Sequence, residues 1–494
     1  MRVTSSMLTN NMLYSLNSNL QNMSKYETQQ ATGKKINVPS DDPIIASRSL
    51  SFRTSLAEVE QYERNISDAE SWMDITEGAL KNVEKILTKM KELCVQGANG
   101  VLTQDDREKI AQELKQLRGQ LTQEANTTYA GRYVFSGYRT DEKVIFDQDN
   151  KQTHAIQQDL NKSNMENIGT DSYRIRLPYN DTGVPTVTIG GTTMTITTKT
   201  TADADAHTPA SGDVHFIAET GELVFHTDEV PATDSTNIRI EYSKTGFKKG
   251  DLNPKMYFKT LNSVTVGGSI GAVDGSNEMR MNSMNIEPGS MVGLQVGGVN
   301  PANIHYAKDG DTVALGPDDV RIDTDTGKLT FGTNFNPADN VTVGSYKTFE
   351  VPDDDVIEYE ISTRNKMEVN TLGKDIFASD MMRDLDELIL AVESGTTPDN
   401  ELTDKFNNML AKVDHYKGEI LSEHSKIGAK MNRLEMTSNR LSEEKLSITK
   451  LLSENEDADL AEVVTNLKTQ EMIYNASLSV ASKVVRMSLV DYLR

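Results

Sequence analysis

A single cysteine, Cys94, occurs in 494 residues, so no internal disulfide can staple this fold. Aromatic residues make up 6 % of the chain and hydrophobic residues 36 %, with one tryptophan, Trp72. That is lean for thick cores and favours elongated domains with thin ones. Positive charge is scarce: 51 Lys and Arg stand against 74 Asp and Glu, a net −23. Such a balance repels a phosphate backbone and excludes nucleic acid as an electrostatic partner. No run of about 18 apolar residues is present, so no membrane partner is expected. Met1 to Asn11 lacks the apolar core of a secretory signal, and the expectation is a soluble chain without a cleaved leader.

The anchors of common chemistry are missing too. There is no CxxC, no GxxxxGK[ST] phosphate loop, no GxSxG elbow and no HExxH, and the histidines are scattered. Asp323-Thr324-Asp325-Thr326-Gly327 and Asp309-Gly310-Asp311 carry alternating carboxylates, but the spacing fails the EF-hand pattern and a hairpin turn is the better reading. Asp353-Asp354-Asp355 reads as a solvated linker. No catalytic residue, cofactor or metal is expected, and the chain is not read as an enzyme.

What is present is helical periodicity at both ends. Leu13, Leu16, Leu20 and Met23 form one stripe of a helix over about 7–32, which Gly33 can stop. Asp42 and Pro43 suit the cap and first position of a second helix. In it Val59, Ile66, Met73, Leu80, Leu87 and Cys94 recur every seven residues, a coiled-coil seam. At 1.5 Å per residue such a helix is roughly 75 Å long and must lie along something equally long. Its natural partner carries Val413, Ile420, Ile427, Leu434, Leu441 and Ile448, again every seven residues. A third helix starts near Thr103 and ends near Gly131, and Tyr133 to Gly137 reads as a short strand. From about Asp457 a last helix carries Leu467, Tyr474, Leu478, Val485 and Leu489 within a wide apolar sector. Two helices, 7–32 and 457–494, cannot bury that sector alone, so these stripes are the expected assembly contacts.

The middle is rich in Thr, Gly, Asp and Val and holds a repeat. Val187-Thr188-Ile189-Gly190-Gly191 returns as Leu294-Gln295-Val296-Gly297-Gly298, and the stretch from Asp213 through Thr220-Gly221 to Phe225 returns as Asp319 through Thr326-Gly327 to Phe331. Two copies of one small β domain, each with a Thr-Gly hairpin turn, are expected. The fold class is α+β: a long antiparallel coiled-coil helical bundle from N- and C-terminal segments with two inserted, duplicated small β domains. The expected division is 1–42 with 455–494, 43–145 with 360–454, 146–255, and 256–359.

Particular residues resemble the flagellin family. Gly33-Lys34-Lys35-Ile36-Asn37-Val38-Pro39-Ser40-Asp41-Asp42-Pro43, Tyr62-Glu63-Arg64-Asn65-Ile66, Ala125-Asn126 and Gly131-Arg132-Tyr133-Val134-Phe135-Ser136-Gly137 carry it at the start. Ile427-Gly428-Ala429, Asn432-Arg433-Leu434, Glu456-Asp457-Ala458-Asp459 and Ser488-Leu489-Val490-Asp491-Tyr492-Leu493 carry it at the end. The pattern is more similar to the members that join hook to filament than to the filament subunit, whose turn usually reads Asp-Asp-Ala in place of Asp41-Asp42-Pro43. The resemblance implies a structural adaptor of the flagellum, exported unfolded through the flagellar type III channel. It further implies a ring of copies between hook-associated protein 1 and flagellin, and a cytoplasmic export chaperone on the C-terminal helix. The alternative it implies is the filament subunit itself.

Overall fold

The computed structural model describes residues 5–169, 171–308, 311, 313–351, 356–395 and 397–492. Its long helices are α1 (Ser5–Thr32), α2 (Pro43–Gly97), α3 (Gln104–Ala125), α4 (Ser379–Glu393), α5 (Asp399–Glu456) and α6 (Leu460–Tyr492). Their starts follow local chemistry. The Asp42 carboxylate accepts the amides of Ile44 and Ile45 at 3.0 and 3.1 Å, which leaves Pro43 at the position where a missing N–H is harmless. The Thr103 side chain accepts from the Asp106 amide, and Asp459 accepts from the amides of Ala461 and Glu462.

The chain forms two compact units. The first comprises Met1–Glu70, Tyr359–Met367 and Met431–Arg494. Within it α1 lies antiparallel to α6, and the first part of α2 lies antiparallel to the last part of α5. Val59, Ile66, Leu434 and Leu441 are buried there, while Ile448 is half-buried. Lys445 Nζ meets Glu63 at 2.7 Å alongside. A hairpin of Glu358–Ser362 and Asn365–Glu368 is tied on by Asn65, whose amide donates to the Glu360 carbonyl, and by Arg433, which donates to Asn365.

The second unit comprises Ser71–Glu358 and Glu368–Lys430. Its helical part buries Met73, Leu80, Leu87 and Cys94 of α2 and Val413, Ile420 and Ile427 of α5. Lys91 to Asp414 at 2.6 Å and His424 to Glu77 at 3.2 Å mark the two helices as antiparallel neighbours. The same unit adds α3, with Ile110, Leu114, Leu117 and Leu121 inward, packed on α4. At the end of α2 a Cβ on Gly97 would collide with the buried ring of Phe406, so glycine there allows the close approach of α5.

Two local expectations need correction. The third helix stops at Ala125, and Tyr133–Gly137 is not a strand: only Arg132–Tyr133 pairs, with Thr128–Tyr129. Val134 and Phe135 are instead buried, Phe135 edge-on to Phe377 at 5.7 Å, and Gly137 turns the chain with φ +62°. Helix α4 has no counterpart in the sequence reading, although Met381, Met382, Leu385, Leu388, Ile389 and Val392 carry its buried face in helical spacing.

The inserted β region is in the second unit. Its first half holds β1 (Asn150–Leu160), β2 (Ser172–Arg176), β3 (Thr186–Ile189), β4 (Thr195–Lys199), β5 (Asp213–Ile217), β6 (Glu222–His226) and β7 (Ile238–Phe247). The second half holds β8 (Lys259–Ala272), β9 (Glu278–Arg280), β10 (Gln295–Val296), β11 (Ile304–Ala307), β12 (Val320–Asp323), β13 (Lys328–Phe331) and β14 (Asn340–Glu350). The order β2-β6-β5-β4 in one sheet is matched by β9-β13-β12-β11 in another, and in each the final pair is parallel. Gly190-Gly191 and Gly297-Gly298 both take positive φ at both residues, as a two-residue turn of the primed type requires. Gly221 and Gly327 turn the β5–β6 and β12–β13 hairpins at φ +69° and +68°. The halves also share a seven-stranded sheet in which β10-β14-β8 continues into β1-β7-β3, through the pairing of Thr260 with Ile156 and its neighbours.

Candidate assembly surface

Helix α1 ends at Gly33 (φ +70°), and α6 begins after the break at Asp457–Asp459. The two breaks are bonded to each other. The Lys35 amide donates to the Glu456 carbonyl at 2.6 Å and the Ala458 amide to the Gly33 carbonyl at 2.9 Å. From there α1 and α6 run antiparallel, so Asn19 Nδ2 reaches Ser477 Oγ at 3.4 Å.

Charged side chains surround these breaks. Arg53 of α2 donates Nε and Nη2 to the two oxygens of Glu456, at 2.8 and 2.7 Å. Lys34 Nζ lies 3.3 Å from Glu456 Oε2 and 2.7 Å from Asp457 Oδ1. The Glu456 side chain is 4 % exposed, so its charge is sustained by these two cations. The bond from Arg53, helped by Lys34 and opposed by burial, holds the Glu456 carboxyl below the usual range. Lys34, with help from Ser453, does the same for Asp457, and Asp457 in turn raises Lys34.

The nine sequence-predicted assembly residues separate by face. Val463 and Leu467, at 6 % and 9 % exposure, and half-buried Tyr474 line the side of α6 turned to α1, where Leu16 and Met23 are half-buried. Leu13 (53 %), Leu20 (44 %) and Leu478 (42 %) stay exposed. Val485 and Leu489 have side chains outside the described residues. At 100° per residue, Leu460, Val464 and Leu478 flank the buried strip of α6 on one side, and Ile473 and Val480 on the other. One helix covers one strip of its partner, and this sector is wider than a strip. The sequence reading missed Met7, Tyr14, Met472 and Ile473, all exposed. Their signal was weak because each falls off the 3-4 spacing by which the stripes were read.

The Asp323 carboxylate accepts the amides of Asp325 and Thr326, which fixes the β12–β13 turn. Asp309 and Gly310, and Asp353 to Asp355, lie outside the described residues. Cys94 is buried in the helical part of its unit, and burial pushes its thiol up to about 12. Among the described residues no helix is long and apolar enough to cross a membrane.

Known proteins match this chain at its two ends. Residues 3–140 match the bacterial flagellin N-terminal helical region, and residues 410–493 the bacterial flagellin C-terminal helical region. Flagellar hook-associated protein 3 of Escherichia coli K12 is 34 % identical over 149 residues, 29 % of this chain and 47 % of that protein. This chain therefore spans about half the length of the hook-associated relatives it matches. The flagellin of Salmonella rubislaw is 24 % identical over 484 residues, covering 92 % of this chain and 91 % of its own. The crystal structure of Bacillus cereus FlgL covers 82 % of this chain and 99 % of its own at 13 % identity, with a TM-score of 0.34. The two flagellin helical regions therefore lie in order at the two ends of the chain, with the β region between them.

Proposed function

We propose that this protein is a structural adaptor of the bacterial flagellum, joining the hook to the flagellin filament, and that it performs no catalysis. The observation that carries the reading is the paired α1 and α6, which leave Leu13, Leu20 and Leu478 uncovered within the two regions that match flagellin. An apolar sector of that width is stabilised when further copies cover it. The subunit forms a ring of copies, with hook-associated protein 1 on one side and flagellin on the other. It travels unfolded through the flagellar type III channel, and a cytoplasmic export chaperone covers α6 beforehand. The buried heptads of α2 and α5 act as an intramolecular coiled-coil seam, and the two halves of the β region are copies of one module. The match to hook-associated protein 3 runs over 149 residues at 34 %, against 108 at 36 % for a filament core protein and 128 at 33 % for a flagellin, and this longer match supports the junction over the filament.

The test is complementation of a strain lacking hook-associated protein 3. The full chain restores filament growth, and a chain ending before Asp457 does not. Restoration by the truncated chain would sink the reading. The nearly full-length similarity to flagellin keeps a second reading, the filament subunit itself, in play. Purified subunit seeded with filament fragments separates the two, because long helical polymers mean flagellin.

A further inference from the structure

Glu456 does something that neither neighbouring contact does. Asn455 already fastens α5 to α2, donating Nδ2 to the Ile45 carbonyl at 3.1 Å and to Ser49 Oγ at 2.6 Å. The two backbone bonds at Lys35 and Ala458 already pin the chain breaks together, but they form one small bridge, and a pair of helices can swing and twist about one bridge. Lys34 Nζ to Asp457 Oδ1 at 2.7 Å and Lys35 Nζ to the Glu454 carbonyl at 3.1 Å lie at that same bridge, and the Glu456 carboxylate ties it to α2. One oxygen takes Arg53 Nε, and the other takes Arg53 Nη2 and faces Lys34 Nζ. Lys34 stands just past the end of α1, and Arg53 lies well inside α2, so one buried group is held from both sides of the break.

We propose that Glu456 is a positioning residue that fixes the direction in which the α1–α6 pair leaves α2 and α5, through its simultaneous hold on Lys34 and Arg53. Stability alone gives no reason for a carboxylate here. Glu456 is buried while Arg53 and Lys34 keep 60 % and 37 % of their side-chain surface exposed, so a packed apolar side chain in its place would leave both cations solvated, whereas two oxygens addressing cations from two helices define an angle. The purpose of a fixed angle, presenting the outer apolar face to the next copy in one orientation, rests on the assembly reading. The angle itself does not.

The experiment uses the full chain as free subunit, with spin labels on Gln30→Cys in α1 and Arg48→Cys in α2, both exposed positions. Pulsed dipolar spectroscopy then gives the distance distribution across the break. A single narrow peak is expected, at least doubling in width in Glu456→Met and in Lys34→Met, while helical content and the thermal midpoint stay as they were. Glu456→Gln, which keeps size and hydrogen-bonding capacity but drops the charge, should give an intermediate width and serves as the readout if the Met variant does not fold. A broad distribution in the unsubstituted chain, or widths unchanged in Glu456→Met and Glu456→Gln, overturns the proposal, as does broadening that only accompanies loss of helix. Because free subunits are measured, a narrow peak with failed complementation would count against the assembly reading and leave the positioning role standing.

Discussion

Arg107 of α3, with no exposed side-chain surface, places Nη1 2.6 Å from Oδ1 of Asp399, the first residue of α5, whose own side chain is 75 % exposed. The pair is asymmetric: the cation has given up its water and the anion has not. Thr403 Oγ1 accepts a second bond at 3.3 Å, and Arg107 Nε has no partner.

The two ends of this pair should therefore respond differently to removal. Arg107→Met leaves a solvated Asp399 and an apolar chain of similar length, at a cost under about 1 kcal/mol. Asp399→Ala leaves a buried guanidinium without its counter-charge and costs about 2–3 kcal/mol. Urea unfolding followed by the fluorescence of buried Trp72, in the same unit, ranks the two; equal costs would contradict the asymmetry.

The hairpin glycines make a second comparison. Gly221 has φ +69° and a Cβ there would stand 2.5 Å from the Tyr179 carbonyl oxygen; at Gly327, φ +68°, it would collide with the Ser283 carbonyl. Gly191 has φ +87° but open space around it. Alanine at Gly191 should cost only the left-handed backbone term, about 1 kcal/mol. Alanine at Gly221 or Gly327 adds a backbone clash and should cost about 2–4 kcal/mol. Thermal unfolding by circular dichroism of the three variants checks the order.

The faces of the terminal pair make a third. Leu20→Ser and Leu478→Ser remove outward apolar surface, so under the proposed assembly each should weaken the contact between copies by about 1–2 kcal/mol, roughly tenfold, without changing helical content. Leu467→Ser should instead loosen α6 from α1 inside one chain. Amide hydrogen exchange in α1 rises only for the Leu467 variant, and incorporation in the complementation assay falls for the other two.

Cys94 sets a pH dependence. An unfolded cysteine ionises near about 8.5, whereas burial in the fold holds this one up to about 12. Below pH 8 both states are neutral and the thiol contributes nothing. Above that the unfolded chain releases a proton that the folded chain keeps, so stability falls by up to about 1.4 kcal/mol per pH unit until the folded thiol ionises. Cys94→Ala should lose this component of the alkaline decline between pH 8 and 10.5. The native thiol should also resist alkylation at pH 8 until denaturant is added.

Sequence and tertiary structure divided the work along physical lines. The seven-residue spacing from Val59 to Cys94 and from Val413 to Leu441, the caps at Asp42 and Thr103, and the glycines of the hairpin turns are local patterns, each legible in the sequence. What the stripe Leu13, Leu16, Leu20, Met23 could not tell was which members face a partner in the same chain. A helical period fixes a sector but not the direction from which it is covered, and here α6 takes Leu16 and Met23 and leaves Leu13 and Leu20 outside. The turning of Val134 and Phe135 into the bundle, the joining of the two β halves through β1 and β8, and the meeting of Lys34 and Arg53 on Glu456 are long-range pairings. Only the closed chain decides them, because their partners lie outside every local window.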